Sequence, residues 1–360
     1  MGTRSIHGGD IYRNRVRIDF SVNTNPLGMP EGVKEALLGA AERCSVYPDP
    51  AAERLSEAVG SAIGVRKENL VFGNGASELF VAAAHALRPK KILIPVPSFY
   101  GYEHAAKACG AEISYVPLKE EKDFLPDGEL LRALTPEVDL LFLANPNNPT
   151  GQRTGRELLK ELLARCKDNG TTVVLDECFI EFCGEEHSRF NGLEEYPNLI
   201  VVRAFTKSCA IPGVRLGYLA CADAFLTESI RDQLPEWNLS VFAQEAGIAC
   251  ARQRGFLDRT RAYVRQERRF LEEGLLRLGL RPVPGEANFL LFFGPTALYE
   301  RLLERGILIR DCRNFRGLTQ GYYRIAVRTR EENKILLREI GECIGSDRTF
   351  AAGGNREEKL

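Results

Sequence analysis

Leu140-Leu141-Phe142-Leu143-Ala144-Asn145-Pro146-Asn147-Asn148-Pro149-Thr150-Gly151 is the segment around which the chain organises itself. Its unbroken apolar run suits a strand covered on both faces, where no side alternates towards water. The Asn, Pro and Gly residues that follow supply a tight turn, and turn chemistry alone accounts for them. Similar short runs lie on both sides. Upstream are Leu70-Val71-Phe72, Ile92-Leu93-Ile94 and Ile113-Ser114-Tyr115-Val116; downstream are Thr172-Val173-Val174-Leu175, Leu199-Ile200-Val201-Val202 and Leu216-Gly217-Tyr218-Leu219. Helical patterns such as Thr154 to Lys167 separate many of them, so the chain reads as α/β around a mainly parallel sheet.

The flanks read differently. The first thirty residues are rich in Gly, Asn and Pro and form an irregular arm, 1–30. Pro30-Glu31 opens a helical pattern to about Cys44, Pro48-Asp49-Pro50 ends it, and a second helix covers Ala51 to Ile63. A large domain is expected over 31–245 and a smaller α+β domain over 246–345. The smaller one begins in a charged helical pattern from Val241 to Leu278. It continues with strands at Asn288 to Phe293 and Tyr322 to Val327 and a closing helix from Glu331 to Cys343. The polar tail 346–360 is expected to be disordered.

Bulk properties narrow the function. A formal net charge of -1 offers no overall attraction to nucleic acid or an anionic membrane. No apolar stretch approaches the ~18 residues of a membrane helix. Met1 to Ile6 contains no apolar signal region, and Ile6 occupies the place where a myristoylation pattern wants Ser or Thr. A cytoplasmic protein is the expectation. The ten cysteines form no C-x-x-C pair, and Cys178 and Cys183 are joined by no His or Cys pair at zinc spacing, so free thiols are expected. His7, His85, His104 and His187 form no metal-binding constellation, and no metal is expected.

Three further features carry possible chemistry. Asp176 closes the run Thr172 to Leu175, at the strand edge where open α/β sheets bind ligands; a helix cap or an ion pair would explain it equally. Lys207 follows another apolar strand in Ala204-Phe205-Thr206-Lys207, with Arg215 eight residues on; alone it reads as a solvated lysine. Gly73-Asn74-Gly75-Ala76-Ser77-Glu78 joins a strand to a helix, and glycine there lets backbone N–H groups approach an anion. The loop matches neither the dinucleotide fingerprint nor a P-loop.

Taken together, the order is glycine loop, Pro97-Ser98-Phe99, N-P-N-N-P-T-G, Asp176, Lys207, Arg215 and Arg324. It resembles the fold-type I enzymes that use pyridoxal 5'-phosphate (PLP), the aminotransferase superfamily, from about His7 to Cys343. The resemblance implies a large domain with a mainly parallel seven-stranded sheet plus a smaller α+β domain. It implies that Lys207 holds PLP as a Schiff base and shuttles protons. Asp176 would keep the pyridine nitrogen protonated, so that the ring accepts electrons. Asn148 would bond the ring oxygen and Phe99 would stack on the ring, though core packing explains Phe99 as well. Gly75, Ala76 and Ser77 would cradle the cofactor phosphate with Thr206 and the bidentate fork of Arg215. Tyr47 would reach that phosphate from a partner subunit, which implies a homodimer with a shared active site. Arg324 would grip the substrate carboxylate. Two departures stand out: Phe179, expected beside the cofactor, replaces a Tyr of many relatives, and Ala204 replaces their Ser or Thr.

Within the superfamily the chain resembles two groups that handle phosphorylated amines, the threonine-phosphate decarboxylases of cobalamin synthesis and the histidinol-phosphate aminotransferases. His7-Gly8-Gly9-Asp10, the stretch Asp19 to Gly28 with Asn23 and Asn25, and Ile309 to Leu318 follow the decarboxylase group. That likeness implies substrate contacts from His7, Asn23, Asn25 and Arg310, with Arg316 a weaker phosphate ligand; a surface ion pair is the plain alternative for Arg310, and a loose terminal residue for His7. The reaction implied is decarboxylation of L-threonine O-3-phosphate to (R)-1-amino-2-propanol O-2-phosphate and CO2. Serine phosphate is a substrate variant. Transamination of histidinol phosphate with 2-oxoglutarate uses the same residues and is the alternative. A non-catalytic PLP-binding sensor module is a third reading, and the enzyme pattern beginning at His7 leaves no room before it for a DNA-binding helix-turn-helix.

Overall fold

The computed structural model describes residues 8–353, the last eight by their backbone alone. After a short strand β1 (Ile18–Asp19), helices α1 (Glu31–Ala41) and α2 (Glu53–Ile63) lead to β2 (Leu70–Gly73) and α3 (Ala76–Leu87). There follow β3 (Lys91–Val96), α4 (Gly101–Ala108), β4 (Glu112–Pro117), α5 (Gly128–Ala133), β5 (Leu140–Ala144), α6 (Arg156–Asn169) and β6 (Thr172–Asp176). Strand β7 (Leu199–Ala204) runs directly into a one-turn helix α7 (Phe205–Ser208), and β8 (Gly217–Cys221) and α8 (Ala224–Arg231) complete this part.

Every one of the seven apolar runs becomes a strand of one sheet, in the order β2-β8-β7-β6-β5-β3-β4. All neighbours are parallel except β8, which is antiparallel to both β2 and β7. The unbroken hydrophobicity has a direct cause, because successive side chains enter two different cores. Leu141, Leu143, Val173, Leu175, Leu199 and Val201 pack with Leu159, Leu162, Leu163 and Cys166 of α6. Leu140, Phe142, Val174, Ile200 and Val202 pack on the other face with α3 and α4. Burying one such side chain contributes about 1.5–3 kcal/mol, so a charge at any of these positions would open one core or the other.

The helical pattern beginning at Val241 is two helices, not one. Helix α9 (Val241–Cys250) ends at Ala251–Gln253, and α10 (Arg254–Arg277) starts afresh. Ala243, Ala246, Ile248 and Cys250 of α9 join the first core, and α9 packs on α1 and α2. Beyond α10 come β9 (Arg281–Pro282), β10 (Phe289–Phe293), α11 (Leu298–Glu304), β11 (Ile307–Leu308), β12 (Arg310–Asp311), β13 (Tyr322–Ala326) and α12 (Arg330–Gly353). Strands β12-β13-β10-β9 form an antiparallel sheet that shares a third core with α10 and α12, through Leu271, Leu275, Phe292, Ile325 and Leu336. Helix α12 continues past Cys343, because no proline interrupts Ser346 to Ala352; this corrects the expected helix end, and 354–360 lie outside the described residues.

The N-terminal arm is tied down. Ile18 and Asp19 pair in parallel with Ile307 and Leu308, and Ile18 and Phe20, two residues apart on one face, enter the third core. That anchoring carries Ser21 to Asn25 across the mouth of the large sheet. Among the described residues no helix is long and apolar enough to cross a membrane.

Candidate active site

A cavity of about 270 Å³ opens where the C-terminal ends of β5, β6 and β7 meet the start of α3, the arm and the small sheet. At one end lies a site for an anion. Gly75 caps α3 with φ 84°, a conformation that favours glycine, and a Cβ there would come within 2.3 Å of the Arg215 guanidinium. Ala76 and Ser77 then begin the helix, where first-turn N–H groups have no intrahelical acceptor. Arg215 is steadied by the carbonyls of Pro212 (3.1 Å) and Asn74 (3.4 Å), and Thr206 lies buried in the first turn of α7. Ala76, Ser77, Thr206 and Arg215 all line the cavity.

Lys207, also lining it, follows one residue later. Burial pushes its ammonium down to about 8, and the cations of Arg324 and Arg215 push in the same direction. Asp176 stands at the end of β6. Burial raises its carboxyl, opposed by hydrogen bonds from Cys178 and Tyr102. The Tyr102 hydroxyl donates to Asp176 Oδ2 at 2.5 Å and the Cys178 N–H to Oδ1 at 2.9 Å. Tyr102 is held by stacking on Phe142 (centroids 5.2 Å apart) and by the edges of Phe80 and Phe99. Phe99 and Phe179 form apolar wall, with Phe179 set edge-on against Phe289 at 4.9 Å.

On the small-sheet side, Arg310 of β12 and Arg324 of β13 occupy directly paired register positions and are 6% and 7% exposed. Both line the cavity. Arg324 donates to Asn148 Oδ1 and, at 2.9 Å, to the Ser21 carbonyl; Arg310 donates to the Asp311 carbonyl (2.8 Å) and Asn314 Oδ1 (2.7 Å). These acceptors are neutral, and neither arginine forms an ion pair among the described residues. Burial lowers both guanidinium pKa values, that of Arg324 to about 10, with Arg310 as a further cause. Two like charges facing each other across a strand pair, out of water, are costly unless an anion joins them.

The sequence-derived sites are therefore largely assembled, with corrections. Asn23 lines the cavity, with its Oδ1 buried and unbonded. Asn25, expected beside it, does not. Its amide nitrogen donates to the Ser208 carbonyl (2.7 Å) and Thr260 Oγ1 (2.9 Å), and its Oδ1 takes the Leu27 N–H (2.9 Å), so it ties the arm to α7 and α10. Arg316 turns outwards to Glu103 (3.4 Å) and covers the Tyr115 ring at 4.2 Å, so it is not a phosphate ligand here. Gly75 supplies room rather than wall. Tyr47 is 80% exposed outside the cavity, against Trp237, in a recess shared with Arg215. His7 lies outside the described residues, though Gly8 lines the cavity. Tyr100, Tyr102, Cys178, Ser21, Asn314 and Phe315 were not singled out by sequence; the one local hint was Phe99 and Tyr102 three apart at a helix start.

The chain belongs to the class I and II aminotransferase family, whose profile matches residues 15–340, and it is a PLP-dependent enzyme of fold type I. It is 36% identical over 345 residues to the threonine-phosphate decarboxylase of Salmonella typhimurium, covering 92% of this chain and 95% of that one. It is 35% identical over 337 residues to histidinol-phosphate aminotransferase 1 of Carboxydothermus hydrogenoformans, with 91% and 93% covered. Its fold matches the crystal structure of the histidinol-phosphate aminotransferase from Clostridium acetobutylicum with a TM-score of 0.86 at 30% identity, over 91% of this chain and 99% of that chain. The donor set fits the cofactor: N–H groups and a guanidinium packed against glycine for a phosphate, a buried carboxylate for a ring N–H, and an amine of lowered pKa lining the same cavity.

Proposed function

We propose that this enzyme decarboxylates L-threonine O-3-phosphate to (R)-1-amino-2-propanol O-2-phosphate and CO2. The observation that carries the reading is the buried pair Arg310 and Arg324, held by neutral oxygens and facing one cavity. Threonine phosphate carries a carboxylate and a phosphate on adjacent carbons, one anion for each guanidinium. Histidinol phosphate brings only the phosphate, and in transamination the carboxylate at Arg324 would come from the 2-oxoglutarate or glutamate of the other half-reaction; only threonine phosphate presents both anions in one molecule.

In this reading Ala76, Ser77, Thr206 and Arg215 hold the phosphate of PLP, Asp176 faces its ring nitrogen, Asn148 its ring oxygen, and Phe99 its ring face. Tyr102 and the Cys178 N–H keep the Asp176 carboxylate aimed. When bound, PLP would supply an electron sink for the bond that breaks at the substrate α-carbon. Arg324 holds the substrate carboxylate and Arg310 its phosphate, with Asn23 and His7 as further contacts, and this grip selects the Cα–carboxylate bond. As that bond breaks, CO2 leaves, and the electron pair at Cα takes a proton from Lys207 Nζ. The walls of Phe179 and Phe315 keep water from competing for that carbon. In this reading Tyr47, exposed on the surface, reaches the phosphate site of the partner in a homodimer.

The test is a product assay. PLP-loaded protein is given L-threonine O-3-phosphate without a keto acid, and catalytic CO2 release is expected. Absence of CO2, together with turnover of histidinol phosphate once 2-oxoglutarate is added, would replace this reading with transamination, to which the likeness to histidinol-phosphate aminotransferases points.

A further inference from the structure

The turn after β12 holds Arg310 in a way no role above explains. One edge of the guanidinium meets the Asp311 carbonyl at 2.8 Å, another meets Asn314 Oδ1 at 2.7 Å, and its carbon lies 5.2 Å from the Phe315 ring centroid. The turn itself is pinned. Phe315 packs with Cys312 and Leu318 in a small core, and Arg316 is clasped by Glu103 of α4 and rests on Tyr115. A side chain at Gly317 would touch the backbone of Val96 and Pro97, so the turn lies close against the end of β3. Asn314 is exposed to solvent on one side yet lines the cavity.

The distribution of charge within this turn is uneven. The Asp311 carboxylate is engaged by Arg313, through its backbone N–H (2.9 Å) and its guanidinium. Only the neutral carbonyl of Asp311 touches Arg310. Asn314 likewise supplies an oxygen without a charge. A carboxylate at 314 could make the same contact, but it would cancel the charge of Arg310.

We infer that Asn314 is a positioning and specificity-determining residue: its amide oxygen orients Arg310 while leaving that charge uncompensated, so that the site selects ligands carrying a phosphate. The inference rests on the reading of Arg310 as the substrate-phosphate ligand. It does not depend on whether the enzyme decarboxylates or transaminates, since both candidate substrates are phosphorylated.

The experiment titrates PLP-loaded enzyme with L-threonine O-3-phosphate, histidinol phosphate and unphosphorylated L-threonine, and follows the bound cofactor's absorption. Asn314→Asp is expected to weaken both phosphorylated ligands by about tenfold or more, and Asn314→Ala by a smaller factor of about three, with L-threonine changed less than about twofold. Thermal melting of the variants should match the parent, because the residue is exposed. Equal losses for phosphorylated and unphosphorylated ligands, or no loss for any, would overturn the inference. Arg310→Gln is the control for the underlying reading. If it fails to separate the two ligand classes, the assignment of Arg310 falls. If it separates them and Asn314→Asp does not, only the role of Asn314 falls.

Discussion

The large-sheet and small-sheet sides of the cavity present positive charge by different means. Around Gly75 the donors are backbone N–H groups at the start of α3, with Arg215 and Thr206 added from the segment that follows β7. On the small-sheet side the donors are two side chains, Arg310 and Arg324, on paired strands. The first end is polar by virtue of helix geometry and survives the loss of any one side chain in part. The second has no backbone reserve, and each arginine is oriented by a neutral oxygen that must itself be held in place. The first end therefore suits a resident cofactor; the second suits a substrate that must be recognised and released.

This contrast can be tested by substitution, beginning where both ends converge. Lys207→Ala should abolish turnover and the absorption band of the lysine-linked cofactor while circular dichroism stays unchanged. Retained activity would remove the central assignment. Next, Arg324→Leu should lower kcat/KM by about a hundredfold, because the partner guanidinium is left to hold both anions. Arg215→Leu should instead raise the PLP dissociation constant by only about tenfold, since the N–H groups of Ala76 and Ser77 remain. Comparable effects on PLP retention from both variants would erase the distinction drawn here.

A third prediction uses pH. Lys207, with its pKa lowered to about 8, presents a neutral, nucleophilic amine above that pH. Capture of PLP by cofactor-free enzyme, followed by stopped-flow absorbance, should accelerate about tenfold between pH 7 and 9 and then level. An amine of ordinary pKa would keep accelerating, about a hundredfold over the same interval. The smallest effect is expected at Ala204, a buried cavity residue with no donor. Ala204→Ser should tighten PLP by about threefold on dialysis, one hydrogen bond added to several. No change would mean the existing donors already satisfy the phosphate.

How much of this was legible in the chain depends on the distance over which each feature is encoded. The inner strands were readable because burial on both faces leaves an unbroken apolar run, which the half-exposed edge strand β4, with Ser114 in it, lacks; Asp176 and Lys207 follow two such runs, and only the order of the whole motif set gave them roles. The break at Ala251–Gln253 was not, since neither proline nor glycine marks it. Asn23 and Asn25 look equivalent in sequence. An arm pinned by Ile18 and Phe20 turns one towards the cavity and the other towards Ser208 and Thr260. Arg316 shares a motif with Arg310 and points the other way.

The sequence by itself determined the α/β alternation, because side-chain periodicity and turn chemistry act over a few residues, and the order of its motifs along the chain carried the likeness that implied the family and the roles of Lys207 and Asp176. Only the tertiary structure decided which cations face one another and what holds them. Arg310 and Arg324 meet through antiparallel register, Tyr102 reaches Asp176 from a different strand–helix unit, and Arg324 is held by Ser21 of the arm and Asn148 of the turn after β5; Arg310 alone is held from within its own turn. The long-range contacts depend on how separate elements pack, and a stretch of sequence read by itself carries no record of that packing.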